Sequence, residues 1–415
     1  MGSEDVVRDV RRLEKSRDVR GVIAVLTLSR HRDDVDVQAA CLRVLGNMCH
    51  DAENRRLAGR SGAIEAVVDA MKRHGGNEKV QEKGCWALMG MCHDNAENKR
   101  VAWRCRAIEA VVDAMKRHGG NGKVQENGCW VLMSMCYGNA ENERLAGRSG
   151  EIEAVVDAMR RHGGNKKVQE CGCGALNNMC CVNIENTRFA GRSGAIQAVV
   201  DAMKRHGRNE EVQKCGCGAL MSMCCNDAEN RRVAGRRGAI EAAVDAMRRY
   251  GGNEYVQKCG CGALMFMCCD DAENRRLAGR HGAIQAAVDA MKRHGENEYV
   301  QEHGCLVLLS MCRDDENIRL AGRRGAIKAV VDAMKRHGGN GKVQENGCWA
   351  LGNMCYGNAE NARLVGRYGA IEAVVDAMKR HGGNEKVQEA GCGALRNMCG
   401  DDAENGRVAG RRGAI

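Results

Sequence analysis

Cysteine, histidine, glutamate and tryptophan recur at fixed intervals along this chain, and each could carry chemistry. Thiols with imidazoles could bind metal or pair as nucleophile and base, while carboxylates beside indoles could receive cations. The chain holds 25 Cys and 12 His. Cys171, Cys215 and Cys259, with Cys181, Cys225 and Cys269, are expected on the exposed face of three successive helices. Two thiols ten residues apart on a helix are separated by about 15 Å, whereas tetrahedral zinc gathers its ligands at about 2.3 Å. Small-residue packing therefore accounts for them better than a metal or redox site. Cys and His run in parallel columns without a singular pair that could act as nucleophile and base. The glycines stop helices and do not open phosphate loops, since no Lys-Ser or Lys-Thr follows them. The sequence thus points to no enzyme and no cofactor.

The cysteine count is odd, and Cys85 and Cys92 lie seven residues apart on one predicted helix. That rise is about 10 Å, beyond the roughly 7 Å between Cα atoms that a disulfide tolerates. Reduced thiols place the chain in the cytoplasm or the nucleus. No run reaches the roughly 18 apolar residues of a membrane span, and the start lacks the apolar core of a signal peptide. Gly2 would suit myristoylation, but Val6 stands where that motif wants Ser or Thr.

Glu82, Glu126 and Glu345 each lie one helical turn before a tryptophan: Trp86, Trp130 and Trp349. A carboxylate beside an open indole suits a Lys or Arg side chain, through charge and cation–π attraction of about 0.5 to 2 kcal/mol. The competing account is a solvated Glu and a Trp packed on the neighbouring helix. His74, His118, His162, His206, His294, His337 and His381 mark helix ends, where capping explains them and a pH-sensitive edge is the alternative. Arg60, Arg104, Arg148, Arg192, Arg236, Arg280, Arg323, Arg367 and Arg411 form a further column. They fit salt bridges to the adjoining unit, or a phosphate-tracking ridge whose affinity would fall steeply with salt.

These residues are positioned by a repeat. Val-Gln returns at Val37, Val80, Val124, Val168, Val212, Val256, Val300, Val343 and Val387, always 43 or 44 residues apart. Such a period signals a helical solenoid, in which each unit buries its apolar face only against its neighbours. Residues 51 to 93 show the plan. Asp51 opens a short helix, and Gly59 and Gly62 end it. A second helix carries Ile64, Val67, Val68 and Met71 at half-buried spacing and closes on Lys72, Arg73, His74 and Gly75. A third runs from near Asn77 to about Cys92. Its apolar set, Val80, Cys85, Leu88, Met91 and Cys92, spans an arc of about 140°, which leaves Trp86 near 240° and Gly90 near 280°. The indoles are therefore expected to be exposed and to mark the binding face.

Proline is absent and aromatics are few, so the core must be built from Ala, Val, Leu, Ile, Met and Cys. The net charge of +10 arises from 64 basic residues interleaved with 54 acidic ones, first of all a solvated surface. Residues 62–82 repeat without change at 369–389, and 111–130 at 330–349, as tandem duplication would leave them. Residues 1–30 read as a capping segment with an irregular first unit, 31–399 as the solenoid, and 400–415 as an incomplete, frayed unit, so that the chain looks like part of a longer one.

Three helices per unit, the period, Gly-Ala-Ile before the second helix and VQxxGCxALxNM in the third resemble armadillo repeats. The resemblance runs from about residue 21 to 415, and a HEAT array is the alternative. Armadillo units often have Pro after Gly-Ala-Ile, where this chain has Glu65, Glu109, Gln197 or Lys328. The resemblance implies an all-α, right-handed α-solenoid of about nine armadillo-like units. It also implies a scaffold or adaptor whose third helices line a concave groove for extended peptides. The Trp and Asn of a Trp-x-x-x-Asn motif would flank the peptide and bond its backbone. Trp349 and Asn353 form the one complete pair. Trp86 and Trp130 match the Trp alone, and Asn47, Asn178 and Asn397 the Asn alone. The implied partner is a protein or an extended peptide, basic or mixed; a nuclear import adaptor and an electrostatic nucleic-acid binder are the alternatives.

Overall fold

The computed structural model describes residues 2–136, 150–181, 183–400 and 402–413. Every element among them is helical, and the chain divides into two compact units, Met1–His206 and Gly207–Ile415. In each, three-helix repeats stack as a solenoid. Ala52–Arg60, Ala63–Arg73 and Glu78–Cys92 make one repeat of the first unit; Ala272–His281, Ala283–Arg293 and Glu298–Met311 make one of the second.

Local sequence sets the boundaries. The Asp51 carboxylate accepts from the backbone N–H groups of Glu53 and Asn54, and the Asn77 side chain from that of Val80, satisfying donors that a helix start leaves open. Between first and second helices the chain must turn through a left-handed residue. Gly62 supplies it at φ 77°, while Arg106 takes the same place at φ 61°, a conformation that costs a side chain. Ile64, Val67, Val68 and Met71 are buried as their spacing predicts, and so are Val80, Cys85, Leu88, Met91 and Cys92.

Two columns of buried amides hold the repeats together. Gln81 donates through Nε2 to the carbonyls of Met71 (2.8 Å) and His74 (2.9 Å), closing the end of the second helix. Gln125, Gln257, Gln301 and Gln344 repeat the arrangement. Asn98 donates to Met91 (2.7 Å) and Arg55 (2.9 Å), the third and first helices of the preceding repeat; Asn274, Asn317, Asn361 and Asn405 do likewise. Glycine makes room for both columns. A Cβ on Gly84 would strike Met71 of the second helix, and one on Gly59 would strike the Asn98 amide.

The histidines do more than end helices. His118 Nε2 bonds the Gly75 carbonyl of the preceding repeat at 2.8 Å, and His162, His294, His337 and His381 reach back in the same way. The arginine column is exposed and bridges only in places. Arg60 meets Glu97 of the next repeat at 4.0 Å, whereas Arg236 and Arg411 pair within their own helices. Arg148 lies outside the described residues.

At the N-terminus, Ser3–Lys15 buries Val6 and Val10 and packs beside the third helix Val35–Met48. Val19–Thr27 is a second helix, as its sequence suggests. In the segment expected to fray, Ala403–Arg411 forms a helix tied by Asn405 to Ala362 and Met398.

Candidate functional site

The third helices decide what is open. In Glu78–Cys92 the buried set includes Gln81, Gly84, Ala87 and Gly90 besides the predicted residues. On a helical wheel these extend the covered arc to about 220°. The reason is geometric: an inner third helix packs against its own second helix and against a third helix on either side. What stays accessible, beyond Glu78 at the helix start, is a narrow strip of Lys79, Glu82, Lys83, Trp86, Met89 and His93.

Two expectations change accordingly. Trp86, Trp130 and Trp349 lie on the strip but are half-buried, not exposed, because each ring leans on a neighbour. A Cβ on Gly46 would collide with the Trp86 indole, and one on Gly393 would come within 3.0 Å of the Trp349 ring. His50 meets Trp86 edge-on at 5.5 Å, and His93 stacks on Trp130 at 5.3 Å. Cys171 and Cys259, expected on the open face, are buried between stacked helices. Cys215, Cys225 and Cys269 are half-buried, and Cys181 is exposed. Among the described residues no group of three or more His, Cys, Asp or Glu is arranged to hold a metal ion.

In the first unit, Asn47, Trp86 and the N-terminal helix come together. The Trp86 indole N–H donates to Asn47 Oδ1 at 3.2 Å, and Asn47 Nδ2 donates to Glu14 at 2.9 Å. Arg43 forks onto the same carboxylate at 3.3 and 3.0 Å. Burial pushes the Glu14 carboxyl up, but the hydrogen bonds from Asn47 and Arg43 outweigh it and hold the group below its ordinary range. Glu82 is paired with Lys83 at 2.7 Å and Glu126 with Lys123 at 3.0 Å. Asn178 donates to the Met133 carbonyl of the preceding repeat at 2.8 Å.

In the second unit, Asn353 donates to Leu309 at 3.3 Å and Asn397 to Gly352 at 3.2 Å. The Asn353 and Asn397 amides thus spend an N–H between repeats and leave the carbonyl side for an incoming donor. Glu345 has no ion-pair partner among the described residues. Trp349, Asn353 and Asn397 share an open pocket of about 630 Å³ with Leu309, Ile318, Tyr356, Arg313 and Arg396. Its lining mixes apolar Leu309, Cys312, Ile318 and Trp349 with polar Arg313, Asp315, Arg396 and the two amides, so a side chain seated there would meet both kinds of surface. Tyr356, 67% exposed, was not singled out from the sequence; its place two residues after the Asn353-Met pair carries no periodic signal.

Known proteins agree with this geometry. A family model described as LRRK2 ARM repeat matches residues 92–217 and 138–323, together more than half of the chain. No curated protein matches the sequence. An engineered protein solved by crystallography superimposes with a TM-score of 0.80 at 19% identity, over 95% of this chain and 92% of its own. A structure from work on a phosphorylation switch controlling the interaction between cadherin and beta-catenin superimposes at 0.79 and 16% identity, covering 97% of this chain and 78% of that one. A second engineered protein matches over 60% of this chain and 98% of its own, at TM-score 0.51 and 22% identity. The fold is one typically used for protein–protein binding and generally non-catalytic. No helix among the described residues is long and apolar enough to cross a membrane. The repeated three-helix plan, its buried amide columns and the family match together place this chain in the armadillo-repeat family.

Proposed function

We propose that this protein is a scaffold or adaptor that holds extended segments of partner proteins along the strip of its third helices. The observation that carries the reading is the pocket at Trp349, Asn353 and Asn397, where an indole wall, apolar neighbours and part-used amides converge. Trp86 with Asn47, and Trp130, supply further contacts on the first unit. Rigid aromatic surface of this kind gives contact area at low entropic cost. Largely buried thiols suit a reducing compartment, cytoplasm or nucleus.

A second reading, an import adaptor for basic signals, draws on Glu82, Glu126 and Glu345 beside the indoles. The ion pairs of Glu82 and Glu126 with lysines weaken it, and Glu345 favours it. Substituting Trp86, Trp130 and Trp349 together by Ala tests the main reading. Affinity for a partner segment should fall about tenfold or more, since interface tryptophans commonly dominate binding energy. Circular dichroism should remain helical. Unchanged affinity in the triple variant would remove the strip as the binding surface.

A further inference from the structure

One edge of the strip departs from its own pattern in the second unit. Along the chain, the first of two equivalent positions reads Lys79, Lys123, Lys167, Glu211, Tyr255, Tyr299, Lys342 and Lys386. The second reads Glu82, Glu126, Glu170, Lys214, Lys258, Glu302, Glu345 and Glu389. Where the first position is lysine, it mostly reaches a carboxylate, of its own repeat or the preceding one: Lys79 with Asp36 at 2.7 Å, Lys123 with Glu126 at 3.0 Å, Lys167 with Glu170 at 2.9 Å, Lys342 with Glu302 at 3.6 Å. Where the second position is lysine, it meets an aromatic ring. Lys214 Nζ sits 5.5 Å from the Tyr255 centroid and Lys258 Nζ 4.3 Å from that of Tyr299. Lys214 also bonds Glu211 at 3.0 Å, whereas Lys258 has no carboxylate partner among the described residues. The two rings are open, Tyr255 at 43% and Tyr299 at 59% exposure.

A ring face holds an ammonium through its quadrupole without consuming all its N–H donors. Lys258 is therefore fixed in place yet able to bond an incoming oxygen. We infer that Lys214, Tyr255, Lys258 and Tyr299 form a receptor for an acidic side chain of the extended partner segment, seated over Lys258 and flanked by the two rings. The inference rests on the reading that the strip binds protein segments. An acidic peptide fits better than a nucleic acid, because Glu211 and Glu302 bracket the two cations. Isolated carboxylates fit between them, while a continuous phosphate backbone would be repelled at both ends.

The test uses the full chain and three fluorescein-labelled probes: a Gly/Ser peptide with a central run of glutamates, the same peptide with lysines, and an oligo-dT strand. Anisotropy titrations compare the wild type with Lys258→Glu, Tyr299→Ala and Trp349→Ala. The glutamate peptide should bind more tightly than the lysine peptide, and Lys258→Glu should raise its Kd about tenfold. Tyr299→Ala, which removes the ring that holds Lys258 without adding charge, should retain the helical spectrum while weakening the preference for acid. Binding of the glutamate peptide that ignores Lys258→Glu, absence of binding, or tighter binding of oligo-dT would each overturn the inference. Loss with Trp349→Ala but not with Lys258→Glu would overturn it and leave the strip reading standing. Loss with Lys258→Glu alone would support it while counting against the indoles.

Discussion

Replacing Gln301 by Leu is expected to destabilise its repeat by about 2–4 kcal/mol, although leucine is apolar and close in size. Gln301 is 2% exposed and donates to the carbonyls of Met291 (3.0 Å) and His294 (2.9 Å). Those oxygens end the second helix Ala283–Arg293, where no following turn supplies an N–H. His294 also accepts from the Asn297 backbone at 3.0 Å, so Met291 loses most. A buried acceptor left unpaired costs about 1–3 kcal/mol beyond the bond itself. Because repeats couple mainly to neighbours, the loss should be local. Hydrogen exchange followed by mass spectrometry should quicken across residues 283–311 and less in distant repeats; unchanged protection there would contradict the assignment.

Alkaline pH should unfold this protein well before its buried thiols can ionise. Desolvation pushes Cys85, Cys92, Cys224, Cys261, Cys268 and Cys305 each up to about 12. An unfolded thiol ionises at about 8.5. The folded groups thus keep their protons where the unfolded chain has lost its own. Stability from this source is full below about pH 8.5 and is lost as pH rises toward 12, at about 1.4 kcal/mol per pH unit for each thiol between those limits. Several thiols titrating together exceed the total stability of an ordinary domain. Under reducing conditions the melting temperature should fall steeply above about pH 9, and Cys261→Ala with Cys305→Ala should soften the slope. A melting temperature flat from pH 8 to about 10.5 would refute this.

Much of the fold is legible in the sequence, for a physical reason. A repeat writes the same burial pattern many times, so Val-Gln and the apolar stripe of Ile64, Val67, Val68 and Met71 locate the helices directly. The amides were harder to read. Gln301 and Asn317 look polar, and only the end of a neighbouring helix reveals that each closes a carbonyl. The Trp86 environment was misjudged because a single-helix wheel omits the flanking third helices, whose packing covers Gly90 and half of the indole. Cys171 and Cys259 were misplaced by the same omission. The pocket at Trp349 draws Arg313 from one repeat and Arg396 from another, a convergence that spacing along the chain does not display.

The central claim is that partners lie on the third-helix strip. Site-specific photo-crosslinking tests it most directly, with benzophenone side chains placed at Met89 and Leu309 on the strip and at the exposed first-helix residues Arg56 and Arg319. The account predicts covalent partner adducts from Met89 and Leu309 that vanish when Trp86, Trp130 and Trp349 are replaced by alanine. Adducts arising instead from Arg56 and Arg319, and persisting in that triple variant, would contradict it.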